Sequence, residues 1–265
     1  MTLLKEGGNA IPSSAPVAKD DVQQVIHIAK RELPPGLLKN LQADIGSAGY
    51  KVESGDIDLM VEAQDCITVF DTASAKDPVK AAKLLMKQFF DAKGIEANVN
   101  GRNVSIGIPY QAQSTGEVKL AQVDIMVIHD VAVVAPYHQH GPRGSYNDPN
   151  FKGSPIFILM NSIGKALGLK FDAFGANLMR RDNNEVVARD RDSVAKILLN
   201  PNATGDDLNS VKSMLKALAN DPKRDEKLAQ ARDDQGKGLI TLGESNDVLP
   251  GSGNWFRQMQ SILTK

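Results

Sequence analysis

Apolar residues along this chain recur in two rhythms, and the change from one to the other divides it into elements. Val22, Val25, Ile26 and Ala29 repeat at helical spacing, behind Asp20 and Asp21 as capping residues and ahead of Pro34 and Pro35, which must end the helix. Residues 37–41 suit a short helix or turn. Residues 43–45 and 56–61 alternate apolar and polar side chains on either side of a polar loop, the pattern of strand, turn and strand. Pro78 occupies a favourable first-turn position for a helix reaching Ala92, with Val79, Ala82, Leu85, Met86 and Phe89 on one face to cover a sheet. Residues 103–110 and 119–128 return to strand patterning, and the Gln, Ser, Thr and Gly residues between them suit a hairpin.

The segment before Lys19 is rich in Gly, Ser, Pro and Ala without periodicity, and is expected to be a flexible arm, residues 1–18. A first domain then spans 19–135. Residues 136–152 carry several Pro and Gly and read as a linker or substrate loop. A C-terminal domain, 153–265, is expected to be smaller and mostly helical. It would contain a helix over 155–167, a hairpin over 176–188 turning at Asp182, Asn183 and Asn184, a capped helix over 192–199 and another over 206–219. The fold class is therefore α+β, a sheet flanked by helices and followed by this second domain. No internal repeat is visible.

Composition narrows the function. The 265 residues are 42% hydrophobic and 24% charged, enough to bury a substantial core. Lys and Arg total 31 against 32 acids, so the chain has no general basic excess, and any nucleic-acid contact must be a local patch. Cys66, the only cysteine, excludes an internal disulfide and a thiolate zinc site. No stretch approaches the roughly 20 apolar residues that cross a bilayer, and Met1 to Val17 has no basic segment followed by an apolar run. A soluble, unexported protein with no membrane partner is expected, with a cytoplasmic location the default.

The candidate chemistry is carried by acids placed on strands. Asp56 and Asp58 alternate with Ile57 and Leu59, so both carboxylates leave one face while the apolar pair packs on the other. Asp124 stands alone among Val123, Ile125, Met126, Val127 and Ile128, where an unpaired carboxylate is costly and a positive partner is expected. Gly46 and Ser47 lie upstream. The glycine lets backbone N–H groups approach an anion, and the serine adds a hydroxyl donor. Hard-oxygen ligands of this kind suit Mg²⁺, and two ions about 3.5–4 Å apart can activate a hydroxyl and stabilise leaving pyrophosphate.

Gly46-Ser47, eight intervening residues, Asp56-Ile57-Asp58 and a later strand acid at Asp124 together resemble the signature of the DNA polymerase β-type nucleotidyltransferase superfamily, over residues 41–128. The resemblance implies a nucleotidyltransferase-like mixed sheet on which Asp56 and Asp58 bind two Mg²⁺ ions (or Mn²⁺). It also implies that Asp124 completes the site and helps activate the acceptor hydroxyl, and that Gly46 and Ser47 hold the β- and γ-phosphates of a nucleoside triphosphate such as ATP. Lys51 is a further candidate for the triphosphate. The expected reaction moves a nucleoside monophosphate to an acceptor hydroxyl with release of pyrophosphate. An RNA 3′ end, including that of tRNA, is the first acceptor considered; a protein or a small molecule is the alternative, as is a homologue that binds without catalysing.

Other positions read differently. His138 and His140 lack a third ligand and are expected on a solvent-exposed loop rather than at a metal. Tyr137, Arg143 and Tyr146 could stack on a base, although an ordered surface loop explains them as well. Lys165, Lys170, Arg180, Arg181, Arg189 and Arg191 gather positive charge that nearby acids offset, as expected for surface ion pairs.

Overall fold

The structure, a computed structural model, describes residues 10–43, 45–50, 52–139, 153–219 and 221–229. The chain divides into two compact units at Ala135/Pro136. The architecture is α+β, and the first unit is built on a mixed four-stranded sheet flanked by helices. No helix among the described residues is long and apolar enough to cross a membrane.

In the first unit, β1 (Val17–Ala18) precedes α1 (Val22–Glu32), and β2 (Glu53–Ser54) precedes β3 (Ile57–Glu62). Then come α2 (Ala63–Val69), α3 (Pro78–Ala92), β4 (Ala97–Asn100), β5 (Asn103–Gln111) and β6 (Val118–Ile128). The sheet order is β3-β6-β5-β4, with β3 and β6 parallel and the other neighbours antiparallel. A two-residue ladder joins β1 to β2, with Val17 opposite Ser54.

The period-2 pattern sends Ile57, Leu59 and Val61, Val104, Ile106 and Ile108, and Val123, Ile125 and Val127 to one face. There they form a core with Val22, Val25, Ile26 and Ala29 of α1, Ala63 and Cys66 of α2, and Ala82, Met86 and Phe90 of α3. Helix α3 starts where Pro78 predicts, and Asp77 caps it: the Asp77 side chain accepts a bond from the Lys80 N–H at 2.9 Å. Asp21, by contrast, makes no capping bond to α1. Its carboxylate accepts the Gln113 N–H at 3.0 Å, tying the helix start to the β5–β6 hairpin.

Three expectations change. Residues 10–18 are built into the fold: Ile11 and Val17 are fully buried, and the Ala15 N–H bonds to the Leu120 carbonyl at 2.8 Å. The Gly/Ser/Pro composition concealed this because anchoring comes from backbone bonds and two apolar side chains, which leave no periodicity. Ala43 and Ile45 belong to no strand, and Asp44 lies outside the described residues; the local pairing is a single bridge between Gln42 and Met60. Residues 136–138 are no loop but the last turn of α4 (Val131–His138), which keeps Pro136 inside it.

The second unit contains α5 (Gly153–Ala166) and an antiparallel sheet of β7 (Leu169–Asp172), β8 (Asn177–Arg180) and β9 (Val186–Ala188). Helices α6 (Arg191–Leu198) and α7 (Val211–Leu218) follow. Asp190 caps α6 through the Ser193 N–H at 2.8 Å. The single helix expected over 206–219 is divided. A 3₁₀ turn at Gly205–Asn209 and α7 are separated by Ser210, whose hydroxyl accepts the Ser213 N–H in a capping box that restarts the helix. The expected hairpin gains β7 as a third strand.

Candidate metal and nucleotide site

The second face of the first sheet carries the polar residues. Asp58 lies on β3 directly beside Asp124 on β6, in the register of a parallel pair. Alternation places both on the face opposite Leu59 and Ile125. Asp56 precedes β3 by one residue and lies close enough for its charge to act on Asp58. Burial, then the charge of Asp56, then that of Asp124, push the Asp58 carboxyl up to about 8 from its ordinary 3.8. The three acids therefore crowd one another, and burial and like charge set the state of Asp58.

Gly46 approaches this cluster from the loop. Its φ is +70°, the left-handed region that favours glycine, and a Cβ built on it would lie 2.3 Å from Asp58 Oδ2. No other residue could bring its backbone so close to that carboxylate. Ser47 is half-buried in the following turn, where its carbonyl accepts the Tyr50 N–H at 3.3 Å. Lys51 lies outside the described residues. Ser54, buried on β2 just before Asp56, has a hydroxyl oxygen with no hydrogen-bond partner among the described residues.

Asp124 is only 9% exposed and is held by two amides that the sequence reading passed over. Gln122 Nε2 donates to Oδ1 at 2.9 Å, and Asn103 Nδ2 reaches Oδ2 at 3.5 Å. Ser105, opposite Asp124 on β5, is also buried. A signal for Gln122 existed: it is polar, two residues before Asp124, and therefore on the same face of an otherwise apolar strand.

Asp56, Asp58 and Asp124 offer carboxylate oxygens alone, the donor chemistry of Mg²⁺ or Mn²⁺. Among the described residues, no group of three His, Cys, Asp or Glu side chains is placed to hold a metal ion by itself. A nucleotide-dependent site does not need one, because Mg²⁺ is commonly held by one or two carboxylates together with substrate phosphates and water. The open, anionic donor set and the glycine pressed against Asp58 fit such an ion.

Other candidates do not join this site. His138 is half-buried, in contrast to the exposed loop position expected: its Nε2 lies 2.9 Å from the Ala173 carbonyl and its ring packs on Phe157 and Phe174. Burial lowers its pKa. Tyr137 is 5% exposed and donates its hydroxyl to the Arg189 carbonyl at 2.8 Å, so its ring is committed to packing and not to a base. His140, Arg143 and Tyr146 lie outside the described residues. Basic side chains of the second unit are occupied within it: Arg180 pairs with Glu185, Arg181 Nε donates to the Leu169 carbonyl and Lys170 to Asn184, and Arg191 bonds the Gly205 carbonyl and Asn209. Cys66 is buried in the core, and burial pushes its thiol up to about 12, unsuited to a nucleophile.

No protein-family model matches the chain, and comparison with curated proteins returns no match. The functional reading rests on the residues and their arrangement.

Proposed function

We propose that the first unit is the catalytic domain of a metal-dependent nucleotidyltransferase of the DNA polymerase β type, transferring a nucleoside monophosphate from a triphosphate to an acceptor hydroxyl. The observation that carries this reading is the pairing of Asp58 with Asp124 on adjacent parallel strands, with Asp56 beside them and Gly46 closed against Asp58. An isolated Asp-x-Asp at a strand start would be solvated and ordinary. Here the acids crowd one another, which is costly unless a proton or a cation joins them, and a divalent cation satisfies all three at once.

In this proposal Asp56, Asp58 and Asp124 would hold divalent cations, which would supply Lewis-acid stabilisation of the phosphoryl oxygens and the leaving pyrophosphate. Asp124 lies beside the acceptor hydroxyl and takes its proton. Gly46 leaves room for backbone N–H groups to meet the triphosphate, and Ser47 offers its hydroxyl to the same phosphates. Lys51, four positions after Ser47, would add a cation. The acceptor is proposed to be an RNA 3′ end, including that of tRNA. The chain's near-zero net charge confines contact with it to a local surface.

The test is incubation of the full chain with each α-labelled triphosphate, Mg²⁺ or Mn²⁺ and an RNA pool, beside an Asp56→Ala/Asp58→Ala variant. Label transferred to RNA by the intact protein alone supports the proposal. Label on the protein itself or on a small molecule keeps the chemistry and replaces the acceptor. Triphosphate binding without transfer points to a binding homologue, and no binding at all removes the reading.

A further inference from the structure

A chain of hydrogen bonds runs from the N-terminal segment into the acidic site. Gln122, 2% exposed, accepts the Ala10 N–H at 2.9 Å and the Ile11 N–H at 3.0 Å through the same Oε1. Its Nε2 donates to Asp124 Oδ1 at 2.9 Å. These contacts fix which way the amide faces. Turned over, the NH₂ group would meet two N–H donors while the carbonyl oxygen met a carboxylate, so every contact would become repulsive.

The segment that supplies those donors is itself seated by the fold. The Ile11 side chain is fully buried, and it lies over Gly107, where a Cβ would come 3.4 Å from Ile11 Cγ2 and 3.1 Å from Leu120 Cδ2. Gly107 is the register partner of Gln122 on β5. Ser14 turns the segment back, its hydroxyl donating to the Ile11 carbonyl at 2.8 Å, and the Ala15 N–H bonds to Leu120 on β6. The two donors therefore reach Gln122 from backbone held by the Ile11 side chain and by the Ala15 bond.

We propose that Gln122 is a positioning residue for Asp124, and that residues 10–15 are thereby a working part of the site. A carboxylate on a strand can turn about its last torsion. A donor bonded to one oxygen selects one orientation and leaves the other oxygen's free lone pairs for an incoming ligand. Asn103 reaches that other oxygen only at 3.5 Å, so Gln122 is the firmer of the two holds. This inference rests on the reading of Asp124 as a metal ligand.

The test measures Mn²⁺ affinity of the full chain by calorimetry, with the unfolding midpoint of each metal-free variant recorded alongside. Gln122→Met keeps the volume but removes donor and acceptor, and weakens Mn²⁺ about tenfold, as loss of a residue that orients a ligand does. Ala10→Pro removes one of the two donors to Oε1 and weakens it about threefold without touching any acid. Because both act through the same bond to Asp124, the double variant binds no more weakly than Gln122→Met alone. Met86→Ala, on α3 beneath the other face, lowers the midpoint and leaves affinity unchanged. Affinity in Gln122→Met within twofold of the intact protein overturns the inference, as do additive losses in the double variant. If the intact chain binds no Mn²⁺, or binds it equally well after Asp58→Asn, the metal reading fails and this inference fails with it.

Discussion

The two faces of the first unit's sheet share every strand, yet they are built on opposite principles. One face places Leu59, Ile125 and Ile106 against α1, α2 and α3, where each side chain is interchangeable with another apolar group of its size. The other places Asp58, Asp124, Gln122 and Ser105 in a buried or half-buried surface where each polar atom needs a particular partner. A strand's alternation separates the two duties by one residue, so Ile57-Asp58-Leu59 contributes to stability and to chemistry in turn. The helix-covered face holds the sheet rigid, and that rigidity lets three carboxyl groups stay close on the other.

Substitutions that strike one face at a time test this division. The largest effect is expected from Asp58→Asn: nucleotidyl transfer falls by about 10³-fold, the share a metal's charge stabilisation supplies. The metal-free protein nevertheless unfolds at a higher temperature at pH 9, because the repulsion with Asp56 and Asp124 is gone. An unfolding midpoint lowered at that pH would show that Asp58 is balanced by something else. Next is Leu59→Ala, its neighbour on the other face, which costs about 2–5 kcal/mol of stability by denaturant titration and leaves Mn²⁺ affinity of the folded protein unchanged. Loss of affinity at temperatures where the variant is fully folded would contradict the separation.

The pH dependence comes third. The Asp58 carboxyl titrates near 8 in the folded chain and near its ordinary 3.8 when unfolded. A raised carboxyl pKa favours the folded state most when protonated. Its contribution is complete below pH 3.8 and is lost as pH rises to about 8, beyond which no further change comes from this group. Mn²⁺ must displace that proton, so affinity climbs up to about tenfold per unit of pH below 8 and levels above it, measured by calorimetry between pH 6 and 9. A flat profile would place Asp58 outside the metal site. The smallest effect is expected from Gly46→Ala, about 1–2 kcal/mol for the left-handed backbone together with a Cβ forced onto Asp58 Oδ2. Mn²⁺ affinity should fall as the carboxylate moves aside, whereas Gly94→Ala, also at positive φ but in open space, leaves affinity unaltered.

Much of the second unit's local order is also readable from sequence, for a different reason. The Asp190 cap and the Asn183-Asn184 turn are set by residues within four positions of one another. Interruption of the last helix at Ser210 follows from a capping box written in Ser210 and Ser213, a short-range signal that a continuous apolar pattern through Met214, Leu215 and Leu218 overshadows.

By itself the sequence determined where β3, β5, β6 and α3 lie and which of their side chains share a face, because periods of 2 and 3.6 are properties of the local backbone. It also placed Asp56, Asp58 and Asp124 as candidates, since charge in an apolar strand stands out without any knowledge of neighbours. Tertiary structure alone decided that β3 runs parallel beside β6, with Asp58 level with Asp124 across 66 residues of intervening numbering. It decided as well that Ala10 and Ile11 reach Gln122, more than a hundred positions away. Hydrogen bonds between distant backbone groups and amides leave no period in the chain. They exist only once the sheet has brought both ends to one place.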